Sequence, residues 1–192
     1  MNDPTRYALA AAARGWHVFP LVPGGKVPPR GFTHWEDRAT ADPDTIRAWW
    51  ERTPYNVGIA TGPSRLVVID LDTPKEGQSP PAEWDRPGVA EGADVLAALC
   101  GDAGQPLPLE TFQVRTRRGG MHLYYTAPEG TTLANTTGAK GGLGWLIDTR
   151  VLPGAENADE AGTDGADDRR REHPAAGVCD GVFIGKVSSF VG

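Results

Sequence analysis

The chain has 192 residues, 39% of them hydrophobic and 23% charged, the make-up of a soluble globular protein long enough to bury one core. No apolar run approaches the ~20 residues of a membrane helix, and the start "MNDPTRYALAAAARGWHVF" lacks the basic flank of a signal peptide. The net charge of −6 argues against nucleic acid, but residues 151–192 carry −4 of it and residues 1–150 only −2, so charge neither supports nor excludes a DNA partner.

In chain order, "DPTRYALAAAARG" predicts a helix, with Asp3 as cap, Pro4 in the first turn and Gly15 as the stop. "WHVFPLV" predicts a strand, followed by the turn-rich "PGGKVPPRG". A second helix opens at Asp42-Pro43 in "DPDTIRAWWERT". "NVGIATG" and "LVVIDLD" predict two strands joined by the turn "PSR". Residues 73–92 are rich in Pro, Gly and charge and are expected to be loop. "ADVLAALCG" predicts a short helix ending at Gly101. "TFQVRT" and "MHLYYTA" predict a hairpin across "RRGG", and "LGWLIDTR" predicts a further strand. After Arg150 the chain loses its period and most of its apolar residues, the composition of a disordered segment. A weak strand is expected in "VCDGVFIGKVSSFVG". The expected organisation is one mixed α/β body over residues 1–150 and a divergent, partly disordered tail over 151–192.

Candidate chemistry starts at "VVIDLD". Residues two apart on a strand share a face, so Asp70 and Asp72 point the same way. Two unpaired carboxylates so close repel each other, and a divalent cation relieves that conflict with the oxygen ligands that Mg²⁺ and Mn²⁺ prefer. Alone, a D-x-D run is more often a solvated strand end. A second cluster is "RTRRGGMHLYY". There Arg115, Arg117 and Arg118 precede two glycines and His122, a combination suited to phosphate oxygens. A third is "LIDTR", where Asp148 ends another apolar strand and Arg150 shares its face. Three acids, a histidine and several arginines are what metal-assisted phosphoryl or nucleotidyl transfer needs. The P-loop, the G-x-S-x-G elbow and H-E-x-x-H are absent; "GGKVPP" lacks P-loop spacing. Trp35, Trp49 and Trp50 are expected to serve packing. Two cysteines, Cys100 and Cys179, are too few for a disulfide framework or a cysteine-rich zinc site, and a reducing, cytoplasmic setting is expected.

The ordered motifs "ALAAAARGWHVFPLVPGGKVPP", "NVGIATGPSRLVVIDLD", "FQVRTRRGGMHLYY" and "GWLIDTR" resemble the N-terminal primase–polymerase domain of bifunctional DNA primase/polymerases, in the archaeo-eukaryotic primase superfamily. The resemblance covers roughly residues 7–150. It implies an α+β fold, with an RRM-like mixed sheet and a flanking α/β unit, and an activity that joins nucleotides from (d)NTPs on a DNA template. By the same resemblance Asp70, Asp72 and Asp148 are the catalytic, metal-binding acids for Mg²⁺ or Mn²⁺. His122 contacts the nucleotide phosphates as a catalytic and nucleotide-binding residue, assisted by Arg115 and Arg117. The setting implied is replication of a phage, plasmid or integrated element, with a helicase encoded separately or lost and no membrane. Beyond Arg150 the usual Gly-rich turn and following strand are replaced by "VLPGAENADEAG". Two other readings stay open: a degenerate, non-catalytic nucleotide- or DNA-binding module of a mobile element, and a metal nuclease built on the same carboxylates.

Overall fold

Alanine carries little side-chain entropy into a helix, and proline at the first turn loses no hydrogen bond that the helix would have made. The "PTRYALAAA" run accordingly forms helix α1 (Pro4–Ala12) and buries Ala8 and Ala11. This computed structural model describes residues 4–116, 118–129, 135–138, 142–151 and 181–184, the last four as backbone. The tail expected to lack order lies outside the described residues apart from Val151 and the strand at Gly181–Ile184.

Strand β1 (His17–Leu21) follows, then a single-turn helix α2 (Trp35–Arg38) that no sequence signal announced. Helix α3 (Pro43–Trp50) starts at Asp42, as expected, and its carboxylate accepts the Thr45 amide at 2.8 Å. That bond satisfies one of the four unpaired amides at the helix start and holds the Asp42 carboxyl below its usual pKa. Strand β2 (Asn56–Ala60) pairs antiparallel with β1 on one side and with β7 (Gly181–Ile184) on the other. The weak terminal strand thus exists, and it extends this first sheet.

The turn at residues 61–65 passes the chain to β3 (Leu66–Leu71), which lies inside a second sheet. Helix α4 (Gly92–Asp102) comes next, then β4 (Phe112–Arg115), β5 (Met121–Thr126) and β6 (Ile147–Arg150). The order is β4-β5-β3-β6, antiparallel throughout. Helices and two antiparallel sheets make the fold α+β. No helix among the described residues is long and apolar enough to cross a membrane.

Both faces of the second sheet are used. Directly opposed residues of an antiparallel pair share a face, so Ile69 and Leu71 line up with Leu123, Met121 and Ile147. That face packs on α4 through Leu71, Leu123, Ile147, Val95 and Leu96, with Trp84 and Trp145 closing the cluster. On the other face Leu66, Val68, Val114 and Tyr124 join Ala8, Ala11, Ile46, Trp50, Val57 and Ile59 of the first sheet and its helices. Burying each such aliphatic side chain is worth roughly 1.5–3 kcal/mol. Strand β3 is therefore fixed between two cores, and its polar end is held by apolar packing behind it.

Candidate functional site

The face of β3 that carries Val68 also carries Asp70, and the pairing makes a row across three strands. Asp148 of β6 lies opposite Asp70 on one side, and His122 of β5 lies opposite it on the other. Val68 is likewise opposed by Arg150 and Tyr124, so Arg150 shares the acidic face, as its spacing from Asp148 predicts.

Asp72 follows the last residue of β3, and its backbone is clamped. Its amide donates to the Leu146 carbonyl and its carbonyl accepts from the Gly92 amide, each at 2.9 Å. Gly92 is required by this contact, because a Cβ there would stand 2.3 Å from the Leu146 oxygen and 3.1 Å from the Asp72 amide nitrogen. Gly120, at the hairpin end, similarly leaves room for the Leu71 carbonyl, which a Cβ would approach to 2.5 Å. Leu146 has φ 61°, a conformation that costs a non-glycine residue energy. The approach to Asp72 is thus held under local strain, with the α4 N-terminus as its support.

The side chains are close-set and unevenly satisfied. His122 Nε2 lies 3.2 Å from Asp70 Oδ1, with the two side chains only 10% and 21% exposed. The pair is within ion-pair distance but not aligned as a hydrogen bond, so Asp70 Oδ1 is buried with no hydrogen-bond partner. Asp148 is better provided: Oδ1 accepts from the Gly138 amide at 3.0 Å and Oδ2 from Arg150 Nη2 at 2.7 Å. Asp72 as a residue is exposed, yet its carboxyl pKa is raised above the usual value. Partial desolvation is the largest cause, followed by the charges of Asp70 and Asp148, while His122 and Lys26 pull it down. The charges of Asp70 and Asp148 therefore both reach Asp72.

Lys26 is the residue that sequence reading passed over. It sits in the "PGGKVPP" turn after β1, pinned where Asn56 Nδ2 donates to the Gly25 carbonyl at 2.9 Å. Its charge nevertheless reaches Asp72, so the first sheet contributes a cation to the acids of the second. The available signal was a lysine in a rigid Gly-Pro turn; nothing local tied it to residues some 45 positions away.

Arg115 is not brought to this row. Strand β4 pairs Val114 with His122 and Arg115 with Met121, which puts Arg115 on the α4 face with Leu71. There it lines a small cavity of about 90 Å³ with Glu91, Ala93 and Gly120. Arg117 lies outside the described residues, and Arg118 is exposed in the hairpin.

Oxygen-only donors, mutual repulsion and an unpaired Asp70 oxygen fit a hard divalent cation in charge and in donor type. As they stand, no three His, Cys, Asp or Glu side chains among the described residues converge closely enough to hold one. Arg150, bonded to Asp148, occupies an oxygen that such a cation would need.

A family model described as "Bifunctional DNA primase/polymerase, N-terminal" matches residues 8–171. No curated protein matches the chain.

Proposed function

The chain belongs to the bifunctional DNA primase/polymerase N-terminal family, and on that premise we propose that it is a metal-dependent nucleotidyltransferase that adds nucleotides from (d)NTPs to a strand paired with a DNA template. The observation that carries this reading is the row Asp148–Asp70–His122 across three neighbouring strands, with Asp72 clamped at its end. A carboxylate whose pKa is raised by burial and by two neighbouring acids is an unfavourable thing to keep in a protein unless a cation is meant to sit beside it.

In this proposal Asp70, Asp72 and Asp148 would hold Mg²⁺ or Mn²⁺, which when bound neutralises the triphosphate and the departing pyrophosphate. His122 faces the phosphates from beside Asp70. Arg150 orients Asp148 and, once released from it, can offer its guanidinium to a phosphate oxygen. Lys26 adds positive charge from the turn after β1. Arg115, on the opposite face, is left out of this set. Replication of a phage, plasmid or integrated element, and a cytoplasmic setting with a separate helicase, belong to the proposal through the family resemblance.

Template-directed incorporation of dNTPs in Mg²⁺ and Mn²⁺, with a chelator control, tests the reading. Metal-dependent extension that follows template sequence supports it; degradation of the DNA instead would replace it with a nuclease. One observation favours a second reading: Asp148 is already satisfied by Arg150 and Gly138, as a degenerate binding module would allow. Nucleotide binding without any extension would select that module.

A further inference from the structure

Two of the buried polar atoms without a hydrogen-bond partner are Asp70 Oδ1 and the hydroxyl of Tyr124. They belong to neighbouring positions on one face. Tyr124 opposes Val68, and Asp70 lies two residues further along β3, so the two are diagonal neighbours across the β3–β5 pair. Such neighbours are about 7–8 Å apart, a gap that a tyrosine side chain spans.

The ring of Tyr124 has no freedom to turn elsewhere. Trp16 stacks on it at 5.2 Å between centroids, Phe112 meets it edge-on at 5.5 Å, and His122 lies 6.3 Å away. Tyr124 is only 3% exposed. Burial first, and then the negative charge of Asp70, push its hydroxyl pKa far above the usual value, so it carries its proton at every working pH. A buried donor and a buried acceptor, the latter facing His122 Nε2 at 3.2 Å without hydrogen-bond alignment, are thus each left without a hydrogen bond, which is expensive.

We propose that Tyr124 is a positioning residue, its hydroxyl donating to Asp70 Oδ1 through one buried water, so that the other oxygen of Asp70 is turned toward Asp148 and Asp72 for a divalent cation. This rests on the function proposed above for Asp70. It assigns Tyr124 a task that its place in an aromatic core does not suggest, and it ties that core to the acidic row.

The test has two arms, and the first needs no metal. Tyr124→Phe keeps the ring and its packing. If the hydroxyl is idle, removing it leaves the melting temperature unchanged or raises it, because an unpaired buried polar group has gone. If it bonds Asp70, Tyr124→Phe lowers the melting temperature, and the drop disappears when Asp70→Ala is already present, the mark of a coupled pair. The second arm titrates Mn²⁺ into the parent and into Tyr124→Phe. The variant is expected to bind about tenfold more weakly, the scale of one lost hydrogen bond to a charged group. Equal Mn²⁺ affinity, or additive melting shifts in the cycle, overturns the proposal. Coupling in the cycle together with a parent that binds no Mn²⁺ would keep the Tyr124–Asp70 bond, refute its orientation toward a cation, and refute the metal function separately.

Discussion

Replacing Asp72 by asparagine removes one negative charge while keeping size and a carbonyl oxygen. Asp70 and Asp72 are two residues apart on one face, a spacing of roughly 7 Å. Two unit charges at that distance repel by about 0.6 kcal/mol in a water-like dielectric and by about 2.4 kcal/mol at an effective dielectric of 20. Asp72 is exposed, so the lower part of that range applies. Asp148 adds repulsion, and His122 and Lys26 offset part of it. The net expectation for metal-free protein at neutral pH is that Asp72→Asn is more stable by about 1 kcal/mol, or roughly 2–4 °C in melting temperature. The pH dependence has a definite sign. The folded-state pKa of Asp72 is raised, so the folded parent holds the proton more tightly than the unfolded chain does. The parent then loses stability as pH rises from the usual carboxylate pKa through the raised one, and the asparagine variant does not. Thermal melts of both proteins in chelator across pH 3–8 should coincide at the acid end and diverge above it. A variant that melts several degrees lower at pH 7 would refute this reasoning and make Asp72 a structural acid.

Three further outcomes are expected. His122→Ala weakens binding of a dNTP, measured by titration, far more than binding of a DNA duplex; equal losses would contradict its place at the phosphates. Gly92→Ala forces a Cβ against the Leu146 carbonyl and breaks the clamp on Asp72, so urea unfolding should show a loss of about 2 kcal/mol or more. Asp42→Ala removes the cap on α3 and lowers the melting temperature at neutral pH. Because the Asp42 pKa is depressed, that deficit should vanish as pH falls below the usual carboxylate value; a deficit independent of pH would show that the cap's charge is irrelevant.

Much of this was legible in the residues. Asp42-Pro43 and Pro4 announce their helices by chemistry that acts within four residues, and β-branched runs such as "LVVI" announce buried strands. Period two alone puts Asp70 and Asp72 on one face. It cannot say which strands flank β3, so the opposition of Asp148 and His122 across Asp70 waited for the structure. Arg115 shows how little separates a right face from a wrong one. A hairpin turning on the four residues "RRGG" would pair Arg115 with His122 and place both on the acidic side. Instead Thr116 is matched with Gly120, its amide donating to the Gly120 carbonyl at 2.8 Å, and Arg115 pairs with Met121. One residue of register moves a side chain to the opposite face. Lys26 and the Gly92 clamp were hidden for another reason: both depend on contacts between segments far apart in sequence, which no local pattern encodes.

The measurement that bears most directly on the proposed function is the rate of template-directed dNTP incorporation in Mn²⁺ by the parent and by Asp70→Asn, with folding of both checked by their melting curves. A metal-dependent polymerase site built on this row predicts clear incorporation by the parent and a fall of about a hundredfold or more in a variant that melts as high as the parent or higher. Incorporation by Asp70→Asn at the parent's rate would contradict it.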